Sequence, residues 1–209
     1  MVSQTAKAFI DGIRQANSVV TPFDLDEERK NANAAVNATY EASGVVTSTV
    51  HLEGVRTLCL TPPNQLPERQ LLCIHGGAFA LMSPESHERF AGHVALACRA
   101  QTYLPDYSLA PEHPFPTGLN ETTAILSSFV QDALATGKRP LLLGESSGGA
   151  FALGAAQTLR DQGQPLPDCL ILICPWLDLT LSGAYIEGNQ QKAAILSKRN
   201  LLIFADYYL

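Results

Sequence analysis

From Gln70 onward, short apolar runs at 71–74, 102–104, 141–143 and 169–174 alternate with longer stretches whose apolar residues recur at helical spacing. Those stretches run from about Glu85 to Arg99, Thr117 to Thr136 and Ser147 to Gln162. The short runs are nearly continuous rather than alternating, the pattern of strands buried on both faces. Repeated strand–helix–strand units at this spacing predict right-handed crossovers and a largely parallel sheet covered by helices.

The segment before it has a different texture. Residues 4–42 carry apolar positions at Ala8, Ile10, Ile13 and Val19, a break at Pro22, then Asp24-Leu25-Asp26-Glu27-Glu28-Arg29. That predicts two helices separated by a turn, the second opening with acids that suit a helix N-terminus. Val45–Leu52 and Arg56–Leu60 flank Glu53-Gly54, a β-hairpin signature, and Pro62-Pro63-Asn64 ends it. Beyond Trp176-Leu177-Asp178-Leu179 the chain leaves the sheet for a loop from Gly183 to Gly188, and a helix is expected from Lys198.

Composition narrows the class without naming a substrate. The 209 residues are 46% hydrophobic and 16% charged, enough for one sizeable core and a small appended unit. A net charge of −6 without a run of Lys or Arg argues against nucleic acid or an anionic membrane as partner. No secretory leader or membrane-length apolar window is present, so a cytoplasmic protein is expected. The five cysteines, Cys59, Cys73, Cys98, Cys169 and Cys174, form no C-x-x-C pair and are read as reduced core residues, with no metal site.

The chemistry lies in two motifs, each directly after a strand. Gly144-Glu145-Ser146-Ser147-Gly148 is a G-x-S-x-G turn, which projects one hydroxyl from a strained strand-to-helix elbow and makes Ser146 the candidate nucleophile. The helix that follows offers unpaired N–H groups, among them that of Ser147, to a developing oxyanion. His75-Gly76-Gly77-Ala78-Phe79 supplies the second half: the N–H groups of Gly77 and Ala78 as further oxyanion donors, with Gly76 allowing close backbone approach. His75 lies too near those donors to act as the base and is assigned to pinning the glycine loop.

Together with Pro105-Asp106-Tyr107-Ser108-Leu109-Ala110-Pro111-Glu112-His113-Pro114-Phe115-Pro116 and Pro175-Trp176-Leu177-Asp178-Leu179-Thr180, these motifs resemble the hormone-sensitive lipase family of α/β-hydrolases. The resemblance covers nearly the whole chain. It implies a three-layer α/β-hydrolase fold with a mostly parallel sheet, a carboxylic ester as small-molecule substrate, no cofactor and no metal. It also implies an N-terminal helical cap at 1–42, the hydrolase core at 43–180 and the start of a second cap segment at 181–209.

Three departures stand against that pattern. Ala78 replaces a glycine, and a small residue at negative φ is expected to present its N–H there. Glu145 replaces the aspartate before the nucleophile and, as a longer acid, is expected to brace neighbouring loops. More serious, this fold orders its triad Ser, then Asp or Glu, then His, yet His51, His75, His87, His93 and His113 all precede Ser146.

The triad acid and base are therefore expected outside this chain, which stops before the strands that carry them in the resembling family; its ending reads as a helix cut short. Such a chain is expected to be inactive or severely impaired. It should also leave Leu170, Leu172 and Cys174 uncovered, and homo-oligomerisation stays open. Other readings are a non-catalytic ligand-binding protein on the same scaffold, as in the plant gibberellin receptors, or an inactive truncation product.

Overall fold

The computed structural model describes residues 3–4, 7–8, 10–12, 23–36, 40–184, 186–189 and 196–209. Six strands form one sheet: β1 (Val46–Leu52), β2 (Val55–Thr61), β3 (Arg69–Ile74), β4 (Gln101–Pro105), β5 (Arg139–Glu145) and β6 (Cys169–Ile173). Their order is β1-β2-β4-β3-β5-β6. β1 and β2 pair antiparallel through the Glu53-Gly54 turn, where both residues take positive φ (50° and 82°), and β2 continues antiparallel onto β4. From β4 through β3 and β5 to β6 every pairing is parallel.

The helices are α1 (Leu25–Val36), α2 (Pro84–Cys98), α3 (Thr117–Ala135), α4 (Ser147–Asp161), α5 (Ile186–Asn189) and α6 (Lys198–Tyr208). Three of them, α1, α2 and α6, start on side-chain caps. The Asp24 carboxylate accepts from the N–H groups of Asp26 and Glu27 at the head of α1. Ser83 and Ser86 close a reciprocal capping box on α2, with proline in the first turn, and Ser197 caps α6. α2 ends one residue before the expected Arg99, which turns left-handed (φ 52°) and closes the helix with its own N–H.

The two-faced burial of the central strands is visible residue by residue. Along β3, Leu72 and Ile74 join a core with α3 and α4 that includes Ile125, Leu126, Phe129, Val130, Phe151 and Leu159. Leu71 and Cys73 face the opposite way, into a core with Ala91 of α2, Leu58, Leu60 and Leu104. The period of two along the strand thus feeds both layers, and each fully buried Leu contributes about 1.5–3 kcal/mol relative to exposure.

Some expectations need correction. Cys169 and Cys174 are exposed rather than core residues; β6 pairs on one side only among the described strands, so its ends lack a second neighbour. Leu170 and Leu172 are not uncovered, since both are half-buried against the core with α3 and α4, whereas Cys174 is exposed as expected. The Gly183–Gly188 loop contains the single turn α5, too short to leave a periodic signature. The first expected N-terminal helix, with Ile13, Val19 and Pro22, falls largely outside the described residues. Among the described residues no helix is long and apolar enough to cross a membrane.

Leu142, fully buried at the centre of β5, should cost about 2–5 kcal/mol when cut to alanine. Leu134, half exposed on α3, should cost no more than about 0.5 kcal/mol. Urea unfolding of the two variants measures the difference, and equal midpoints would contradict this core.

Candidate active site

β5 delivers Ser146 to a sharp turn, and α4 begins at the next residue. Ser146 sits at φ 52°, ψ −121°, a conformation that costs a residue with a side chain about 1–3 kcal/mol and needs its surroundings to hold it. Three backbone bonds do so. The Ser146 N–H donates to the Ile173 carbonyl at 3.0 Å, and its own carbonyl accepts from Gly149 (3.0 Å) and Trp176 (2.9 Å). The end of β6 therefore frames the turn, while the serine hydroxyl is not spent on capping α4 and the residue is half-buried.

Close packing explains the glycines. A Cβ at Gly144 would lie 2.5 Å from the Gly148 carbonyl and 2.8 Å from the Ala152 Cβ, and one at Gly148 would overlap the carbonyls of Ile74 and His75. The head of α4 is thereby seated on the end of β3. A Cβ at Gly76 would overlap the Glu145 carboxylate and come within 3.0 Å of the Ser146 Cβ. The two motifs, separate in sequence, meet at the same end of the sheet.

After Gly76 the backbone runs through positive φ at Gly77 (123°), Ala78 (52°) and Phe79 (64°). The expectation of a negative φ at Ala78 is thus wrong. Gly77 turns the chain so tightly that its carbonyl accepts from both Ala80 (3.1 Å) and Leu81 (2.7 Å), which leaves the two residues between them the left-handed region. The N–H groups of Gly77 and Ala78 are given to no backbone partner among the described residues, and that of Ser147, in the first turn of α4, has none within its helix.

His75 is 1% exposed and stacks on Tyr107 with ring centroids 4.3 Å apart. Its Nδ1 lies 2.7 Å from the Gly76 carbonyl and so carries the proton, and the Tyr107 hydroxyl donates to the His75 carbonyl at 2.7 Å. Burial, with the charge of His87 second, pushes the His75 imidazolium down to about 3, so the ring is neutral at pH 7. Its Nε2 has no partner among the described residues.

Glu145 reaches the other way. Its Oε2 is 3.5 Å from His87 Nε2 on α2, and its Oε1 accepts from the Cys174 thiol at 3.7 Å. The carboxylate thus touches groups from α2 and from the end of β6. Among the described residues, which include all five histidines, no hydrogen bond joins a histidine to the Ser146 hydroxyl. His51, His93 and His113 are exposed. Asp178 is committed to its own loop, accepting from the N–H groups of Thr180 and Ser182 and from both hydroxyls, and these bonds hold its carboxyl below the usual range.

Several supporting residues left no local signal in the sequence. Glu121 on α3 accepts from both the N–H and the hydroxyl of Ser108 at 2.7 Å, and Arg56 on β2 bridges Glu85 and Asp106.

The buried neutral His75 makes stability depend on pH. Between about 3 and the ordinary value of 6.5 the unfolded chain binds the proton and the folded chain does not, so stability rises with pH, by at most about 1.4 kcal/mol per unit. Stability should therefore fall as pH drops below 6.5, and His75→Asn should flatten that dependence. Urea midpoints at pH 7.5 and 5.0 measure it; an unchanged difference in the variant would exclude His75 as the source.

Comparison with known proteins agrees with this geometry. A family model described as the α/β-hydrolase fold matches residues 71–209. An acetyl-hydrolase of Streptomyces hygroscopicus is 34% identical over 147 residues, 70% of this chain and 49% of that protein. Mouse hormone-sensitive lipase is 33% identical over 147 residues, 68% of this chain and 19% of the lipase. The chain thus spans about half the length of the acetyl-hydrolase, and less of the lipase. Among solved structures, an esterase from the bacterial hormone-sensitive lipase family superposes with a TM-score of 0.88 at 25% identity, over 100% of this chain and 70% of that one. An esterase/lipase from an uncultured bacterium gives 0.86 at 26% identity, over 100% and 69%. With two-thirds of its residues inside that family model, and with relatives that include hormone-sensitive lipase itself, this chain belongs to the α/β-hydrolase family.

Proposed function

We propose that this chain carries the nucleophile and the oxyanion donors of a carboxylic ester hydrolase. Ser146 Oγ forms a bond to the ester carbonyl carbon, and its proton passes through a base to the departing alkoxide as the C–O bond breaks. Water then releases the acid from the acyl-serine. The N–H groups of Gly77, Ala78 and Ser147 hold the carbonyl oxygen while it is negative, and Gly76 lets their loop approach. His75 and Glu145 support the site from behind: one carries the Gly76 carbonyl, the other touches α2 and the end of β6.

The observation that carries this reading is a strained Ser146 with an uncommitted hydroxyl, packed against Gly76 at a distance only glycine allows. Relatives named as an acetyl-hydrolase and a hormone-sensitive lipase support the same chemistry. On the hydrolase reading the base is not among these 209 residues, since every histidine precedes Ser146 and none bonds to its hydroxyl among the described residues. That same absence is what favours the second reading, a ligand-binding protein on this scaffold. We assign residues up to 42 to a cap over the acyl pocket and those after 180 to the start of a second cap segment.

In a polypeptide whose reading frame extends past Leu209, Ser146→Ala should lower hydrolysis of a short-chain aryl ester by about 10⁴- to 10⁶-fold and leave the fold intact. Near wild-type turnover in a clean preparation would show that Ser146 is not the nucleophile. Tight ligand binding without Ser146-dependent turnover would favour the binding protein.

The 209-residue chain alone should do little better than about 10³-fold over water, because a serine without a base is a weak nucleophile. It should also self-associate through the outer edge of β6, which pairs with no strand among the described residues. Size-exclusion chromatography and ester turnover on the same sample test both; a monodisperse monomer with Ser146-dependent turnover overturns both.

A further inference from the structure

The turn that presents the Gly77 and Ala78 N–H groups is strained, because Ala78 and Phe79 hold positive φ without glycine's freedom. Such a turn keeps its shape only when outside contacts over-determine it. Some of these come from the hydrolase body: the Phe79 carbonyl accepts from the Ala110 N–H at 2.9 Å, and the Phe79 ring packs among Tyr208 (4.2 Å), Phe151 (5.2 Å) and Trp176 (5.3 Å).

The next carbonyl along, that of Ala80, is held from elsewhere. Arg29, on α1, donates from Nε to the Ala80 oxygen at 2.8 Å and from Nη2 to the Ala110 oxygen at 3.0 Å. Ala110 is the residue whose N–H holds Phe79, so one guanidinium closes a ring of bonds around the turn. Its fork is completed by Glu112, which accepts from Nη1 and Nη2 at 2.7 Å each. The Arg29 side chain is three-quarters buried, and its hydrogen bonds hold the Glu112 carboxyl down to about 2, so the pair is ionised at neutral pH. A lysine ammonium has no planar fork with which to serve two carbonyls and a carboxylate together.

We propose that Arg29 is a positioning residue for the oxyanion loop, coupling the seating of α1 to the shape of the Gly77–Ala80 turn through the Ala80 and Ala110 carbonyls. The proposal rests on the reading of Gly77 and Ala78 as oxyanion donors. α1 enters the site as a strut. Phe23, just before it, packs edge-on against Phe204 and Tyr207 of α6, while Tyr208 of α6 stacks on Phe79. The N-terminal helix, α6 and the oxyanion loop thus form one connected group.

Two measurements test this. The first needs no catalysis: hydrogen exchange on the 209-residue chain. Arg29→Met should speed exchange across residues 77–82 at least tenfold, leave α3 and α4 unchanged, and be partly reversed by adding Ala78→Gly, which removes the strain at that residue while Phe79 keeps its own. Unchanged exchange at 77–82, or an equal rise throughout α3 and α4, overturns the proposal. Should Arg29→Met fail to fold, Glu112→Gln, on the exposed side of the pair, should give a smaller shift in the same peptides, and no shift counts against it.

The second measurement uses the turnover-competent form. Arg29→Met should lower kcat by about 10- to 100-fold with KM little changed, because the oxyanion contacts are made in the transition state. Arg29→Lys should fall between and Ala78→Gly should restore part of the loss. A raised KM with unchanged kcat overturns the positioning role. If Ser146→Ala retains turnover, the hydrolase reading fails instead, and the exchange result still decides whether Arg29 holds the turn.

Discussion

The site depends on one close approach: the first turn of α4 resting on the end of β3. A Cβ at Gly148 would occupy the carbonyls of Ile74 and His75, and one at Gly144 would strike the Gly148 carbonyl. Because backbone meets backbone there, no side-chain adjustment can make room, and glycine is required by excluded volume rather than by flexibility. That contact sets Ser146 beside Gly76 and brings the N-terminus of α4 to a loop whose Gly77 and Ala78 N–H groups have no backbone partner among the described residues.

Strain is the cost of this arrangement, and it is distributed. Ser146, Ala78 and Phe79 all hold positive φ, and Cys174 does so at the end of β6. Partners from other elements pin two of them, Ile173 and Trp176 for Ser146 and Ala110 for Phe79, while Arg29 holds the neighbouring Ala80 carbonyl. Polar groups serve the same end. Neutral His75 holds the Gly76 carbonyl beneath Tyr107, and Glu145 spans from α2 to the end of β6. On the proposed reading of Gly77, Ala78 and Ser147 as oxyanion donors, a rigid frame suits a charge that exists only in the transition state, since the donors then need no reorganisation as it forms.

Aromatic packing ties the periphery to that frame. Phe79 lies at the junction of Tyr208, Phe151 and Trp176, so elements late in the chain touch the loop that follows β3. The Phe115 N–H donates to the Tyr208 carbonyl at 2.6 Å, adding a polar link between α6 and the segment before α3. α6 and the loop that follows β3 are therefore in direct contact, so a change at α6 is felt at Phe79.

Much of this was readable along the chain. The runs at 71–74, 102–104, 141–143 and 169–174 became β3, β4, β5 and β6, and the three helical stretches became α2, α3 and α4 within a residue or two, because burial on both faces and helical period are local patterns. The residues of the two motifs could be named because a strand followed at once by glycines is also local. Tertiary structure alone decided the rest. The positive φ of Ala78 follows from bonds two and three residues on together with packing from distant elements, and the exposure of Cys169 and Cys174 follows from the position of β6 in the strand order. Arg29 meets Glu112 across 83 residues of sequence. Periodicity records which face of an element is buried, but not which partner arrives there; that is settled only when the chain closes on itself and each buried polar group must find a bond.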